Sequence, residues 1–207
     1  MLFGGIGGVE SADASVAVWD LSRQVRTSAV LTRRSMPAWT VCLGRLGDAP
    51  SAEVTTFLRC LDGLLREFGH RGPHRWDLRS QSWMTRPELV LGMVESIRFQ
   101  SDDHAPELVA AAARPARERL TAKIATGLEA DPETRNIFLA GVRSGALFFQ
   151  LREAGKSGVI RFFHETKLAL MELGGRMVAR GVLDDPQQLF FVLDDELDAF
   201  VATRGLR

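Results

Sequence analysis

The run Phe68-Gly69-His70-Arg71-Gly72-Pro73-His74-Arg75-Trp76-Asp77-Leu78-Arg79-Ser80-Gln81-Ser82-Trp83 decides how this chain is laid out. It interrupts a helical pattern on either side. Gly69 and Gly72 open backbone angles that other residues resist. Pro73 fixes its own φ and turns Gly72 away from helix. A turn is therefore forced, and it gathers two of the four His, two of the four Trp and three Arg. Such a corner can contact a ligand through His70, Arg71, His74, Arg75, Trp76, Asp77, Arg79 and Trp83. The plain alternative is a packed interhelix corner, in which Trp76 and Trp83 bury and Arg71 or Arg79 bonds helix-end carbonyls.

Helices are expected on both sides. Upstream, Ser51 caps one that runs to about Phe68, with Val54, Phe57, Leu58, Leu61, Leu64, Leu65 and Phe68 at helical spacing. Cys60 is expected on its apolar face. An earlier helix starts at Ser11 or Asp13 and reaches about Thr27, with Val16, Trp19, Leu21, Val25 and Val30 as its stripe. Downstream, Pro87 opens a helix over 87–99 with Leu89, Val90, Met93, Val94 and Ile97 inward. Asp102-Asp103-His104-Ala105-Pro106 brings two carboxylates and an imidazole together, but the spacing matches no zinc or calcium ligand set. It reads as the start of a long helix to about Glu129, disturbed at Pro115.

Asp131 and Pro132 open the next helix, lined by Phe138, Val142, Ala146 and Phe149 and ended by Gly155. A further helix covers Lys156 to Arg180, with Val159, Phe163, Leu170, Leu173 and Met177 in register and Gly181 as its stop. Arg161, His164 and Lys167 fall on an adjoining face, where three cations can meet a phosphate or carboxylate. The plain reading there is a solvated face with one partly buried His. Leu189-Phe190-Phe191-Val192-Leu193 reads as a short strand or extended segment, and Asp194 or Asp195 caps a last helix through Val201. The fold class is all-α, bundle-like, with one short extended segment near 189–193. Residues 33–44 fit neither neighbour. Back-translated with GC-rich codons and read one base out of register, Arg33 to Cys42 becomes an ordinary helix-and-turn sequence, so a local frameshift would explain the break.

Composition narrows the classes. The chain has 207 residues, 26 basic and 26 acidic side chains and a formal net charge of zero, which argues against a general nucleic-acid binder. Two cysteines, Cys42 and Cys60, make no disulfide framework. The Gly-rich start at 1–8 lacks a preceding strand for a phosphate loop and a basic region for a signal. No run approaches the ~20 apolar residues of a membrane helix. A cytoplasmic protein with no membrane partner is expected.

Two sets of residues, in order, carry a resemblance. Phe68-Gly69-His70-Arg71-Gly72-Pro73 with Trp76-Asp77-Leu78 and Ser82-Trp83 resembles the central region of phosphoenolpyruvate-utilising phosphotransferases, including phosphoenolpyruvate-synthase-like proteins and rifamycin phosphotransferases. Leu151-Arg152-Glu153-Ala154-Gly155-Lys156, His164-Glu165, Leu168-Ala169-Leu170, Glu172-Leu173-Gly174, Arg180-Gly181-Val182-Leu183, Asp185-Pro186, Phe190-Phe191 and Asp195-Glu196-Leu197 resemble the same region further on. The resemblance implies a phosphoryl relay. An ATP-grasp domain, with ATP and magnesium, phosphorylates a histidine on a swivelling domain, which delivers the group to pyruvate, an antibiotic or another acceptor. The helical region between them supplies acceptor-binding surface. None of His70, His74, His104 and His164 sits in the family's Thr-Ser-His phosphocarrier setting. The chain also departs at Arg75, where the family commonly has an acid, and at Gln81, where it commonly has Pro.

The resulting expectation is one helical domain over 1–207, part of a larger multidomain phosphotransferase. It binds no cofactor itself, has no catalytic residue and no metal ligands, and works with ATP-grasp and phosphohistidine domains in cis or trans. A small-molecule acceptor is a further partner. Two other readings stand beside this one: a binding module with an apolar pocket gated by the Trp76–Trp83 loop, and a helical scaffold that docks separately encoded partners.

Overall fold

The computed structural model describes residue 6 and residues 10–32, 51–193 and 196. The irregular stretch 33–44 and its frameshift reading, the Gly-rich start at 1–5 and 7–8, and the final helix expected after Asp194 fall outside the described residues, apart from Glu196.

The core is built around α1 (Glu10–Thr27). Ala14, Val18, Leu21 and Val25, spaced four, three and four apart, form one buried stripe. Against it lie Leu31 of α2 (Ala29–Thr32) and Val54, Phe57, Leu61, Leu64, Leu65 and Phe68 of α3 (Ala52–Phe68). Val90, Leu91 and Val94 of α4 (Glu88–Ile97) and the indole of Trp83 complete the cluster. Ser51 caps α3 by accepting the Val54 N–H at 3.4 Å. Arg23 ties α1 to α4: it donates to the carbonyls of Ile97 (2.8 Å) and Gln100 (3.0 Å), pairs with Asp102 (2.8 Å) and lies 3.9 Å over the Trp19 ring. One guanidinium thus satisfies carbonyls that the end of α4 leaves open.

After a 3₁₀ turn at Asp102–His104 come α5 (Pro106–Gly127) and α6 (Pro132–Ala179). The 48 residues of α6 span roughly 70 Å. Asp131 accepts the Thr134 N–H at 3.1 Å and starts it. At its far end Gly181 takes φ +69, with Gly181 N–H on Val178 O and Val182 N–H on Met177 O, each at 2.9 Å, a Schellman stop. The chain then doubles back through a 3₁₀ turn, Pro186–Phe191, onto the end of α6. Besides contacting α2–α4, α1 contacts α5 and α6, so the hairpin of long helices is anchored to the core through it.

No strand occurs among the described residues, and the all-α class holds. Several boundaries differ from expectation. The extended segment near 189–193 is largely the 3₁₀ turn, set by Pro186 and a capping box between Asp185 and Gln188; Leu189 is buried but Phe191 is exposed, so no two-residue alternation needed a sheet. Gly155 does not end a helix. A lone glycine costs about 1 kcal/mol in a helix, and the contacts that follow it, with the Phe68–Trp83 loop and the Pro186–Phe191 turn, outweigh that. Pro115 is carried inside α5. α1 starts at Glu10, ahead of Ser11 and Asp13. Val30 and Met93 are exposed, with Leu31 and Leu91 buried beside them, and Cys60 is exposed on the outer side of α3.

Gly174 and Gly175 test the turn against α6. A Cβ on Gly174 would run into Pro186, whereas one on Gly175 would meet nothing. Gly174→Leu is expected to lower stability by about 1–3 kcal/mol and expose the Pro186–Phe191 turn to hydrogen exchange. Gly175→Ala is expected to raise stability by up to about 1 kcal/mol. Denaturant melts of both variants check the pair, and equal effects would refute the contact.

Candidate functional site

The loop between α3 and α4 is closed at its neck by Trp83 N–H on Arg71 O (2.7 Å) and Met84 N–H on Gly69 O (2.9 Å). At this neck Gly72 lies so close to the returning chain that a Cβ would collide with Gln81 O and come within 3.0 Å of Ser82 Cα. The glycines are therefore needed for space rather than for unusual angles. Gly69 is in the right-handed helical region, and the left-handed residue of the loop is His74, at φ 49. Inside, the Asp77 carboxylate accepts the Arg79 N–H at 2.8 Å and the Ser80 hydroxyl donates to Pro73 O. Ser82 and Thr85 bond reciprocally just before α4.

This compact loop sits on the C-terminal half of α6. His70 Nε2 meets Ser157 Oγ at 3.3 Å, the Lys167 ammonium donates to Ser80 O, and Trp76 stacks edge-on against Phe163 at 6.2 Å. The Arg79 guanidinium lies 4.5 Å over the Phe191 ring of the 3₁₀ turn. Ser157, Ile160, His164 and Lys167, spaced three, four and three, are the buried face of this half of α6. A solvated face was expected here. His164 and Lys167 instead retain only 7% and 6% exposure, while Arg161 is exposed. Val159, expected inside, is exposed.

His70 and His164 stand between two hollows. The inner one, about 20 Å³, is lined in part by His70, Arg75, Asp77, His164 and Lys167, and just exceeds the ~10–15 Å³ that one water needs. The outer cleft, about 230 Å³, is lined by Leu65, Arg66, Glu67, His70, Met84, Arg161, His164, Glu165 and Leu168. Nδ1 of His164 is buried with no hydrogen-bond partner among the described residues. Desolvation pulls the His164 pKa below its ordinary value, with Glu165 opposing and Lys167 reinforcing. Desolvation also lowers the Lys167 pKa, and Asp77 resists it.

The structure therefore brings His70, Arg75, Asp77, His164 and Lys167 around the inner hollow, and His70, His164 and Arg161 around the outer one. Other residues of the expected set go elsewhere. Trp83 belongs to the core, and the Arg71 guanidinium lies 5.7 Å from the Phe68 ring centroid. Trp76, expected to bury in the packed-corner reading, is 57% exposed, and His74 and Arg79 are exposed too. Sequence reasoning missed Ser157, although stepping back seven residues from His164 finds it. It also missed Arg66, Glu67 and Glu165, which nothing but the fold brings to the cleft. Among the described residues no group of three or more His, Cys, Asp or Glu is placed to hold a metal ion, and no helix is long and apolar enough to cross a membrane. Chemically the site offers hydrogen-bond donors and mixed charge beside an uncharged imidazole, an arrangement suited to holding a polar molecule.

Uncharacterised proteins of Mycobacterium bovis and Mycobacterium tuberculosis (strains CDC 1551 / Oshkosh and H37Rv) are each 26% identical over 156 residues, 75% of this chain. The matched stretch is 16% of each relative's length, so the chain spans a small part of proteins several times longer. The family described as rifampicin phosphotransferase fourth domain matches residues 1–153, which include α1, the loop and the first part of α6. The chain belongs to that family, a branch of the phosphoenolpyruvate-utilising phosphotransferases.

Proposed function

We propose that this chain is the central helical, acceptor-binding and linking region of a phosphoenolpyruvate-synthase-like phosphotransferase. It acts with ATP-grasp and phosphohistidine domains supplied in cis or in trans, in the cytoplasm. The observation that carries the reading is the docked loop: the motif that bears the family resemblance is also the element that walls the polar cleft with His70. The acceptor lies in the outer cleft, where Arg161 and Arg66 provide cationic donors and His164 an uncharged imidazole. ATP and magnesium belong to the partner domains. Phosphoryl transfer needs charge neutralisation and in-line positioning, and this region contributes position. A second reading, a scaffold for separately encoded partners, draws on the long apolar exposure of α6.

Three measurements test this. Purified chain mixed with ATP and either pyruvate or rifampicin is expected to give no phosphorylated product; product formation would remove the linking role. In thermal melts, an acceptor such as rifampicin or pyruvate is expected to stabilise the fold by about 2.7 kcal/mol at a hundredfold excess over its Kd. Arg161→Ala should abolish that shift, measured against the variant's own ligand-free melt. A cleft that raises the melting point with neither compound, or a shift indifferent to Arg161→Ala, tells against acceptor binding.

The third is pH dependence. The folded pKa of His164 lies below its unfolded value near 6.5. The unfolded chain therefore takes up the proton first, and stability is lost as pH falls through about 6.5 towards the folded pKa. His164→Gln is expected to flatten the loss between pH 7.5 and 5.5 measured by denaturant melts. Identical slopes in the two proteins would show that His164 is not the group responsible.

A further inference from the structure

The N-terminal half of α6 carries a feature that the loop site does not use. Ile137, Gly141, Ser144, Phe148, Leu151 and Gly155 recur at spacings of four, three, four, three and four, a heptad seam. All six are exposed. The half-buried Leu139, Val142 and Ala146 lie on the other side of the helix. Ile137, Phe148 and Leu151 are 62–69% exposed, and Leu147 beside them is 57% exposed. Gly141 and Gly155 sit inside the helix at a cost of about 1 kcal/mol each. An added Cβ at either would meet nothing in this chain, so no internal packing requires them.

We infer that this seam pairs with the same seam of a second copy, antiparallel about a two-fold axis near residue 146. In that register every large residue faces a small one. Ile137 lies opposite Gly155 of the second copy, Leu151 opposite Gly141, and Phe148 opposite Ser144; each layer occurs twice, as an isologous contact requires. Gly145 and Leu147 meet their own counterparts at the axis. Arg143, Arg152 and Glu153 are the charged residues of this stretch, and the register sets no two like charges face to face. The paired length is about 28 Å. It buries on the order of 600 Å² per chain, which brings the pair to the lower end of the ~1,200–2,000 Å² of stable interfaces. The loop-bearing half of α6 stays clear of the contact, so cleft and seam coexist on one helix.

Sedimentation equilibrium of the full chain across the micromolar range tests this. The mass is expected to rise from 22.9 kDa towards twice that value. Phe148→Glu combined with Leu151→Glu should hold it at the monomer while leaving circular dichroism unchanged and the melting point equal to that of the parent at monomeric dilution, since both side chains face water in the single chain. With Cys42→Ser and Cys60→Ser as background, Leu147→Cys should give a disulfide-linked dimer under mild oxidation and Ile137→Cys should not. A monomer at every concentration overturns the inference. So does a dimer that survives the double Glu variant, or one that links through Ile137→Cys, the mark of a parallel pair. A seam that instead forms a complex with a different helical protein, with no self-association, assigns the surface to that partner and overturns the second copy.

Discussion

A buried ammonium group ties the loop between α3 and α4 to the long helix α6. Lys167 is removed from water on the inner face of α6 and donates to the carbonyl of Ser80, at the far side of the loop. Burying an unpaired charge is costly enough that a protein normally neutralises the group or gives it a partner. Here the partners are a backbone carbonyl and, in the same hollow, the Asp77 carboxylate. The arrangement works only if the loop lies against α6 with its carbonyl turned inward. That position in turn relies on Gly72 for the close return of the chain and on the two hydrogen bonds at the neck. The loop, the long helix and the hollow are therefore one construction.

The helical hairpin draws on this join beside its contacts with α1. Hydrophobic burial in the described residues is concentrated where α1, α3 and α4 meet. α6 adds Ile160 and Met177 as its fully buried apolar side chains, the latter beside the 3₁₀ turn. A 48-residue helix carried by so few apolar contacts depends on polar ones at the loop. Such contacts are directional: a small displacement of the loop breaks the Lys167–Ser80 and His70–Ser157 hydrogen bonds. Position is thereby specified more sharply than hydrophobic contact alone would specify it.

The extent to which this was legible in the sequence follows from what periodicity counts. α3 was readable because its buried face is wholly apolar, and the ends at Ser51, Asp131 and Gly181 because each uses a local cap. The turn at Gly69–Pro73 was readable as a turn. Its physical reason was not, because the steric demand on Gly72 comes from Gln81 and Ser82 nine and ten residues on. The inner face of α6 escaped detection for a different reason. Of Ser157, Ile160, His164 and Lys167, one is apolar, so an apolar count favoured the neighbouring set Val159, Phe163, Leu170, Leu173 and Met177, in which Met177 is buried, Val159 is exposed and the rest are half-buried. Gly155 gave a false stop because a glycine marks a helix end only when a left-handed residue is required, and that residue is Gly181.

Arg75 bears on what the hollow can hold. The family resemblance puts an acid at this position, and the residue lines the inner hollow beside His70, His164 and Lys167. With Arg there, Asp77 is the one carboxylate among the lining side chains. An acid at 75 would have given Lys167 a second counter-charge, drawing its pKa back up and favouring a protonated His164 as well. Arg75 supplies no such counter-charge, and burial, reinforced by Lys167, keeps the pKa of His164 below its ordinary value. An uncharged imidazole can accept as well as donate, which a protonated one cannot. In this chain the wall between the hollow and the cleft therefore offers an acceptor as well as donors to whatever occupies the cleft.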